Sequence, residues 1–384
     1  MKLCIVTPCV VKGDGQGRAC SEIVQEALRC KHDVTILSTR LDPALQQHNH
    51  VTWIEISSTK LPSQLLHDLA FSFKSTVWLQ KHHAEFDVIQ AYGAVTHFIG
   101  DVNTAHFVHS AWQQSPAHIA KIRRDFYGFY QWLYTSLNAL WEKRAFRHAK
   151  LVIAVSERVK QELIDLGVSE EKLQVVLNGV DVEEFTPGSA SRTERGLPEN
   201  VPLAVFAGDI RLNRKNLDTV LHALVEVPNL HLAVVGTLEG SPYPKLATQL
   251  NLNARVHFLG YRRDMAKIMQ AADLFVFPSR YEPFGMVVLE AMASGIPVVT
   301  ASTTGAAEVV TTECGIVVSD PNDVKALAGA LRQLVDDPEK CRAMGQAARR
   351  VAEQYRWQQQ ARIYVDLFEQ IAVASNDMQT PIQI

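Results

Sequence analysis

Short apolar runs alternate with longer amphipathic stretches along the first half of the chain, which predicts a strand, helix, strand order. The predicted helices cover residues 22–30 and 157–166, the second one after the capping residue Ser156. The predicted strands cover residues 3–7, 34–38, 87–90, 104–109 and 151–155. This order is typical of a parallel sheet covered by helices.

A polar, turn-rich stretch from residue 178 to residue 200 interrupts this order, which then restarts. The later predicted strands cover residues 203–207, 232–236, 256–260, 274–278, 297–300 and 315–318, and helices broken at Asp337-Pro338 cover 323–374. We therefore predict an α/β fold with two doubly wound, Rossmann-like domains, 1–190 and 191–357, and a C-terminal helix at 358–384 that returns to the first domain. Such sheets bind ligands at the carboxyl ends of their strands.

The composition is that of a packed protein, because 47% of the 384 residues are hydrophobic and 21% are charged. A net charge of -3 provides no broad basic field for nucleic acid. No apolar stretch approaches the roughly 20 residues that span a bilayer. The apolar run near the N-terminus is too short for the apolar core of a signal peptide, so we expect a cytoplasmic protein. The six cysteines include no Cys-x-x-Cys pair, and we expect no metal site.

The segment 279–290, with the sequence Ser-Arg-Tyr-Glu-Pro-Phe-Gly-Met-Val-Val-Leu-Glu, is predicted to contain a loop and the start of a helix. Pro283 suits a first helical turn because it lacks the N–H that would be unpaired there. The amides of residues 284–287 would then face the strand ends, with the positive end of the helix dipole behind them. This arrangement favours a diphosphate ligand.

Glu282 and Glu290 could suggest a sugar hydrolase, but eight residues of helix correspond to a rise of roughly 12 Å. Retaining hydrolases place their carboxyl groups roughly 5 Å apart, and inverting ones at most roughly 9.5 Å apart. We therefore expect separate roles, with Glu282 accepting hydrogen bonds from a sugar and Glu290 reaching a ribose. Without further context, both could be ordinary solvated acids.

Several motifs together resemble glycosyltransferase family 4. They are Glu282-Pro-Phe-Gly285 with 289–299, together with 155–160, 178–181, 208–216 and 256–260. The resemblance implies the GT-B fold, in which two Rossmann-like domains face a central cleft. It also implies a nucleotide-sugar donor, transfer of a hexose with retention of configuration, and no obligatory metal or cofactor. A UDP-sugar is favoured and a GDP-sugar is the alternative.

The family assigns its first carboxylate to the transferred sugar and its second to the nucleotide ribose, which correspond to Glu282 and Glu290. Backbone contacts with the donor are implied for Phe284, Gly285 and Met286, and further donor positions are implied at Gly208 and Gly260. The family also places an Arg and a Lys beside the leaving diphosphate. In this chain Asp209 stands where the family commonly has Arg, and we favour Arg211 with Lys215 over Arg214. A basic surface loop is the structural alternative.

A glycine-rich stretch at 12–17 lies between the first strand and a helix expected to begin near Arg18. Gly13, Gly15 and Gly17 do not match the dinucleotide fingerprint. The family has a glycine-rich loop here, which makes Gly15 and Gly17 candidates for contact with the donor phosphates.

The predicted strand 104–109 ends in His109, which resembles an active-site histidine of the family. Its implied role is polar contact with the sugar and positioning of the acceptor, because the leaving phosphate itself can take the acceptor proton. His106 is the structural alternative, and an ordinary core histidine is the other.

Residues 118–150 combine seven Lys and Arg residues with eight aromatic residues, against Asp125 and Glu142. Basic, aromatic helices can rest on an anionic membrane surface, which would suit a lipid-linked acceptor at the inner face of the membrane. The aromatic residues also fit an interior helix face, and we prefer core packing to membrane contact.

The expected protein is a polysaccharide-building transferase whose second domain holds the donor and whose first domain presents a sugar, lipid-linked or small-molecule acceptor, with domain closure completing the site. Two rivals are a noncatalytic GT-B partner subunit and a nucleotide-sugar epimerase. Retention of both Glu282 and Glu290 argues against the first rival, and the Glu-Pro-Phe-Gly loop argues against the second. The sequence leaves the donor sugar, the acceptor and the oligomeric state open.

Overall fold

A computed structural model describes residues 1–13, 15–57 and 61–379, with side chains described to residue 374. The chain divides into two compact units. The first comprises Met1–Gln114, Ile119–Gly179 and Trp357–Ile384, and the second comprises Ser115–His118 and Val180–Arg356.

The units divide before residue 180, whereas the turn residues of 178–200 suggested a boundary at 190. The difference arises because the segment after Val180 packs on the second unit. Phe185 is buried, and the guanidinium of Arg349 donates hydrogen bonds to the carbonyl oxygens of Val182 and Phe185, at 3.1 and 2.8 Å. A turn-rich sequence can therefore belong to the packed part of a domain.

Both sheets are parallel. The first has the strand order β5-β3-β1-β6-β7-β8-β9, and the second has the order β12-β11-β10-β13-β14-β15. Short strands β2 and β4 pair separately. The strands of the first unit are β1 Lys2–Val6, β2 Cys9–Val10, β3 Asp33–Ser38, β4 Arg40–Leu41, β5 Val51–Glu55, β6 Val88–Tyr92, β7 Val102–Ala105, β8 Leu151–Ala154 and β9 Leu173–Val175. The strands of the second unit are β10 Leu203–Ala207, β11 His231–Val235, β12 Val256–Gly260, β13 Leu274–Phe277, β14 Val298–Ala301 and β15 Gly315–Val318.

Helices connect these strands and cover the sheets. Those of the first unit are α1 Gly15–Arg29, α2 Pro43–Gln46, α3 Gln64–His82, α4 His109–Gln114, α5 Ile119–Ile122, α6 Phe126–His148, α7 Glu157–Asp165 and α14 Trp357–Gln379. Those of the second unit are α8 Leu217–Val225, α9 Tyr243–Gln249, α10 Met265–Gln270, α11 Met286–Ala293, α12 Val324–Val335 and α13 Pro338–Ala352. The predicted cap of α7 is confirmed, since the hydroxyl of Ser156 accepts a hydrogen bond from the amide of Val159 at 3.1 Å.

The core of each unit explains why its strands are nearly continuous apolar runs. Residues of β6 and β10 are buried along their whole length, as expected when helices cover both faces of a parallel sheet. The returning helix is confirmed, because Tyr364 and Phe368 of α14 pack in one cluster with Leu3 and Ile5 of β1. The half-buried strand β5 was missed because it presents polar and apolar residues without a clear apolar run.

The strand order reverses between β1 and β6 in the first sheet and between β10 and β13 in the second. At such a switch point, the loops from neighbouring strands leave in opposite directions and open a crevice at the carboxyl edge of the sheet. The loops after β10 and β13 carry the predicted donor residues. The loops after β1 and β6 border the predicted acceptor region.

The aromatic residues at the start of α6 do not pack in the core, contrary to the preference stated above. Phe126, Phe129 and Trp132 are exposed, whereas the buried positions of this helix include Thr135 and Asn138. The first two turns of α6 therefore do not bury the aromatic rings that the preference for core packing placed inside.

Candidate active site

The loop between β10 and α8 carries the basic residues predicted to face a diphosphate. A side chain at Gly208 would come within 3.3 Å of the Lys215 stem, so the glycine leaves room for the lysine. Asn216 ends the loop with a φ of 67°, a left-handed conformation in which asparagine is enriched. The buried Asn216 amide donates hydrogen bonds to the carbonyl oxygens of Pro278 and Pro321, at 2.8 and 2.6 Å. These bonds tie the loop to the segment after β13.

The loop after β13 is held against the loop after β10 by backbone contacts. The amide of Arg280 and the hydroxyl of Ser279 both donate to the carbonyl oxygen of Arg214, at 2.9 and 3.0 Å. The guanidinium of Arg280 binds both carboxylate oxygens of Asp218 on α8, at 2.9 and 2.6 Å. Two neighbouring loops are thereby fixed around the switch point.

This arrangement brings Lys215 and Glu282 into a salt bridge. Their side chains are only 14% and 12% exposed, and the ammonium of Lys215 lies 5.1 Å from the ring centroid of Phe277. Nη1 of Arg214 lies 3.8 Å from Oε2 of Glu282. Two cations therefore share one carboxylate, which leaves a net positive charge at this point of the sheet edge.

Burial and charge act in opposite directions on Glu282. Burial alone would raise the pKa of its carboxyl group, but the charges of Lys215 and Arg214 outweigh it and lower that pKa. Burial also lowers the pKa of Lys215. Because a proton-donating acid in a sugar hydrolase needs a raised pKa, Glu282 is unsuited to that role. Ionisation thus supports the earlier exclusion of a hydrolytic pair.

Helix α11 begins at Met286, so the expectation that Pro283 occupies its first turn is wrong. Gly285 has a φ of 94°, and this left-handed turn delays the start of the helix. Phe284 is buried, and its carbonyl oxygen accepts a hydrogen bond from the amide of Ala306 at 2.7 Å. The amides at the helix N-terminus are therefore those of Met286 and the residues that follow it, rather than that of Phe284.

Glu290 lies on α11 and is half-buried. The backbone of Glu282 pairs with that of Thr304, outside the helix. Only residues 286–290 contribute helical rise between the two acids, about 6 Å rather than the 12 Å expected. The assignment of separate roles to Glu282 and Glu290 therefore rests on the ion pair of Glu282 and not on helical spacing.

The basic loop places its two arginines differently from the stated preference. Arg211 is exposed and forms two hydrogen bonds to the carboxylate of Asp209, at 2.9 and 2.8 Å. Arg214, rather than Arg211, lies beside Glu282. The residue that departs from the family pattern, Asp209, is the one that holds Arg211.

Gly260 ends the edge strand β12, with a φ of 70°. Its carbonyl oxygen accepts a hydrogen bond from the amide of Gly236 at 3.0 Å. In strand order it lies two strands from β10, so the structure does not bring it next to the Lys215–Glu282 pair.

The first unit contains a cavity of about 520 Å³. It lies at the carboxyl edge of the sheet, bordered by the loops after β1 and β6. Its polar lining includes Gln64 and Asp68 of α3, His109 of α4, and Asn138 and Glu142 of α6. Aromatic rings, among them those of residues 71, 92 and 107, form much of the remainder. A mixture of aromatic faces and hydrogen-bonding groups is suited to a polyhydroxylated ligand.

His109 lies in this cavity, but not at the end of a strand as predicted. Strand β7 ends at Ala105, and His109 is the first residue of α4. The carboxylate of Glu142 accepts hydrogen bonds from the backbone amide and from Nδ1 of His109, at 2.8 and 2.7 Å. Because Nδ1 is engaged, Nε2 is the ring atom left for a ligand, and Glu142 fixes the orientation of the ring.

His106 also borders the cavity and is half-buried. Its ring stacks on that of Tyr92, with centroids 5.5 Å apart, and burial lowers its pKa to about 4. It is therefore neutral at physiological pH. Of the two histidines, His109 is the one with a carboxylate partner.

Gly15 and Gly17 lie in the first turn of α1, which begins earlier than the expected start near Arg18. Of the glycines in this stretch, Gly13 has a positive φ, 105°. Gly17 is buried and Gly15 is exposed. These two glycines therefore lie at a helix N-terminus rather than in a loop with left-handed conformation.

The described part of the chain shows neither a metal-binding cluster nor a membrane-spanning helix. Within residues 1–13, 15–57 and 61–379, no group of three or more His, Cys, Asp or Glu residues could hold a metal ion. Within the same ranges, no helix is both long enough and apolar enough to span a membrane.

Comparison with known proteins agrees with the two-unit architecture. The family model described as Glycosyltransferase Family 4 matches residues 13–184, and the one described as Glycosyl transferases group 1 matches residues 189–351. The D-inositol 3-phosphate glycosyltransferase of Corynebacterium aurimucosum is 30% identical over 327 residues, covering 79% of this chain and 75% of that protein. The chain belongs to glycosyltransferase family 4. The family resemblance found in the motifs is thereby confirmed.

Further relatives of this family 4 glycosyltransferase match nearly the whole chain. An uncharacterized glycosyltransferase of Methanocaldococcus jannaschii is 27% identical, covering 96% of this chain and 98% of that protein. The solved structure of sucrose-phosphate synthase from Thermosynechococcus elongatus has a TM-score of 0.82 at 21% identity, covering 97% and 99% of the two chains. Anabaena HepE, solved in complex with UDP and glucose, has a TM-score of 0.74 at 23% identity, covering 96% and 100%. The GT-B fold is thereby confirmed.

Two features of the site escaped the sequence analysis. Glu142 was counted only as a charge in a basic region, although a single acid among basic neighbours on a helix is a signal for a specific partner. Arg214 was passed over for Arg211, because sequence spacing does not show which arginine a neighbouring aspartate holds.

Proposed function

We propose that this family 4 glycosyltransferase transfers a hexose from a nucleotide-sugar donor, with a UDP-sugar favoured over a GDP-sugar, to a glycan, lipid or small-molecule acceptor with retention of configuration. The carrying observation is the cluster of Arg214, Lys215 and Glu282 at the switch point of the second sheet. Anabaena HepE has been solved with UDP and with UDP-glucose, which supports the choice of base. We assign donor binding to the second unit and acceptor binding to the cavity of the first.

The ion pair suggests how the second unit meets its donor. A diphosphate carries more negative charge than a carboxylate, so it competes with Glu282 for Lys215 and Arg214. When the cations turn to the diphosphate, the oxygens of Glu282 become available to accept hydrogen bonds from sugar hydroxyls. The N-terminus of α11 stabilises the same negative charge with its amides. Glu290, further along α11, is assigned to the nucleotide ribose.

In the transfer step, the bond between C1 of the sugar and the diphosphate oxygen breaks, and its electron pair stays on that oxygen. The bond between C1 and the acceptor oxygen forms, and the acceptor proton passes to the leaving phosphate oxygen. The products are a nucleoside diphosphate and a glycoside, and no metal or cofactor is needed for this balance. The cations Lys215 and Arg214 stabilise the negative charge that develops on the leaving oxygen, and this stabilisation is greatest where that charge is greatest.

His109 is assigned to polar contact with the transferred sugar and the acceptor. Its Nδ1 is occupied by Glu142, so Nε2 is the atom that contacts a ligand. Glu142 acts through His109 and is a positioning residue. Glu282 is ionised and paired with cations, and the leaving phosphate takes the acceptor proton. The proposed transfer therefore needs neither Glu282 nor His109 as a proton donor.

A thermal-shift screen with UDP, GDP, ADP and their sugars tests donor binding. A ligand at 100 times its dissociation constant adds roughly 2.7 kcal/mol to the free energy of unfolding. We expect one nucleotide class to raise the melting temperature, and Glu290→Ala to abolish that rise. The matched control is Glu313→Ala, an exposed acid of the same unit, which should leave the rise unchanged. An unchanged rise in Glu290→Ala would contradict the ribose assignment, and no rise with any nucleotide would contradict the donor assignment.

A further inference from the structure

Helix α6 of the first unit exposes aromatic residues in its first two turns and buries several polar residues further along. The buried positions are Gly128, Thr135, Asn138, Glu142 and Phe146, and just one of these is a large apolar residue. On the outward side, Phe126 is 85% exposed, Phe129 is 58% exposed and Trp132 is 46% exposed. A helix that folds against a protein core normally shows the opposite distribution.

The exposed apolar residues are close together. The rings of Phe129 and Trp132 stack with centroids 6.0 Å apart, and Ile122 and Tyr127 are exposed in the preceding seven residues of the chain. We call the exposed apolar residues 122, 126, 127, 129 and 132 the aromatic patch. Exposed apolar residues scattered singly need no explanation, whereas a contiguous group marks an interaction surface.

Basic residues lie at the N-terminal end of the aromatic patch. Lys121 precedes Ile122, Arg123 and Arg124 follow it, and all three are exposed. The acid within this stretch, Asp125, is already engaged, because it caps α6 at the amide of Gly128 and pairs with Arg123. The patch therefore combines apolar rings with excess positive charge.

We propose that the aromatic patch docks on an anionic lipid surface. Aromatic rings favour the boundary between headgroups and acyl chains, and Lys and Arg at the edge are attracted by anionic headgroups. A protein partner that buried these rings would have to pair or bury the neighbouring charges, whereas anionic headgroups match them directly. Charge complementarity therefore decides in favour of lipid.

The same helices that carry exposed apolar residues also line the cavity that contains His109. Helix α6 contributes Asn138 and Glu142 to the cavity, and its neighbour α3 contributes Gln64 and Asp68. The two helices are joined by a hydrogen bond from the hydroxyl of Tyr134 to Asp68, at 2.8 Å. A docked patch would hold this cavity near the headgroups, so the acceptor would be a sugar or polyol carried by a membrane lipid. This last step rests on the proposed transfer function, whereas docking itself does not.

Vesicle sedimentation tests the docking. Full-length protein is mixed with vesicles of phosphatidylcholine alone or of phosphatidylcholine with phosphatidylglycerol, and the bound fraction is measured. We expect binding to the anionic vesicles, weakened at least about tenfold by the double variant Phe126→Ser with Phe129→Ser, and about tenfold by Arg124→Glu. The matched control is Val225→Ser, an exposed apolar residue of the second unit, which should bind like the parent protein.

Several outcomes would overturn the proposal. They are absence of binding to anionic vesicles, equal binding by the Phe126 and Phe129 double variant, and a parent dimer in light scattering that the double variant dissociates, which would make the patch a protein interface. Nucleotide thermal shifts are measured on the same samples. Lost docking with an intact nucleotide shift contradicts only the docking, and intact docking without a nucleotide shift contradicts only the proposed function.

Discussion

The salt bridge between Lys215 and Glu282 allows a prediction of stability that can be worked from the structure. Replacing Lys215 with Met keeps most of the length of the side chain and removes its charge. Glu282, 12% exposed, then keeps Arg214 as its neighbouring cation, with the nearest atoms 3.8 Å apart. A buried charge that loses its partner typically costs about 3 to 5 kcal/mol.

Protonation sets an upper limit to this cost. A carboxyl group with the ordinary pKa of 4.5 can be protonated at pH 7 for about 3.4 kcal/mol, since each pKa unit corresponds to about 1.36 kcal/mol. At pH 5 the same step costs about 0.7 kcal/mol. In the parent protein the pKa of Glu282 is lowered, so the pair stabilises the fold above the unfolded pKa and loses this contribution as the pH falls through the folded pKa. The part of the Lys215→Met penalty that comes from the orphaned carboxylate should therefore be at most about 3.4 kcal/mol at pH 7 and should shrink several-fold at pH 5.

Urea unfolding followed by far-UV circular dichroism measures this penalty. All six tryptophans belong to the first unit, so tryptophan fluorescence serves as an internal reference for that unit. Adding Glu282→Gln to Lys215→Met removes the orphaned charge and should recover most of the lost stability at pH 7. A penalty that is equal at pH 5 and pH 7, or a double variant no more stable than Lys215→Met, would refute the account of the pair.

Two further predictions concern positions that hold the sites in shape. Glu142→Gln keeps the size of the side chain and removes its charge. We expect kcat/KM to fall about tenfold or more and its pH profile to change, while the melting temperature shifts by no more than a few degrees. An unchanged pH profile would leave Glu142 with a structural role alone. Gly285→Ala should destabilise the second unit by about 1 to 2 kcal/mol in urea unfolding. The reason is that this position has a φ of 94° and that an added Cβ would approach the Thr304 side chain at 3.0 Å. Equal stability of the variant and the parent would show that a side chain does not strain this turn.

The elements that carry the proposed donor residues could be predicted because they follow one another in the chain. A strand, a Glu-Pro-Phe-Gly loop and a helix are consecutive in the chain, and the observed elements β13 and α11 agree with them within a few residues. The basic loop was also located correctly. The pairing of Arg211 with Asp209 was not foreseen, because it depends on how the loop closes at Asn216 rather than on spacing.

The first unit shows where a local pattern misleads. Residues 104–109 were predicted to continue one strand, but β7 ends at Ala105 because its neighbour β8 ends at Ala154, opposite it. After Ala105, strand β8 offers no further residue for β7 to pair with, and the chain enters helix α4 at His109. The orientation of α6 could not be predicted either, since a helix with apolar residues on more than one face has no single core stripe.

The most direct test of the proposed function follows the sugar itself. UDP-glucose, UDP-galactose and GDP-mannose are each incubated with the parent protein and a panel of sugar and polyol acceptors, and the anomeric proton of the first-formed product is observed by NMR. The account predicts release of nucleoside diphosphate together with a glycoside of the same anomeric configuration as the donor. A product of inverted configuration, or an epimerised nucleotide sugar without nucleoside diphosphate release, would contradict it.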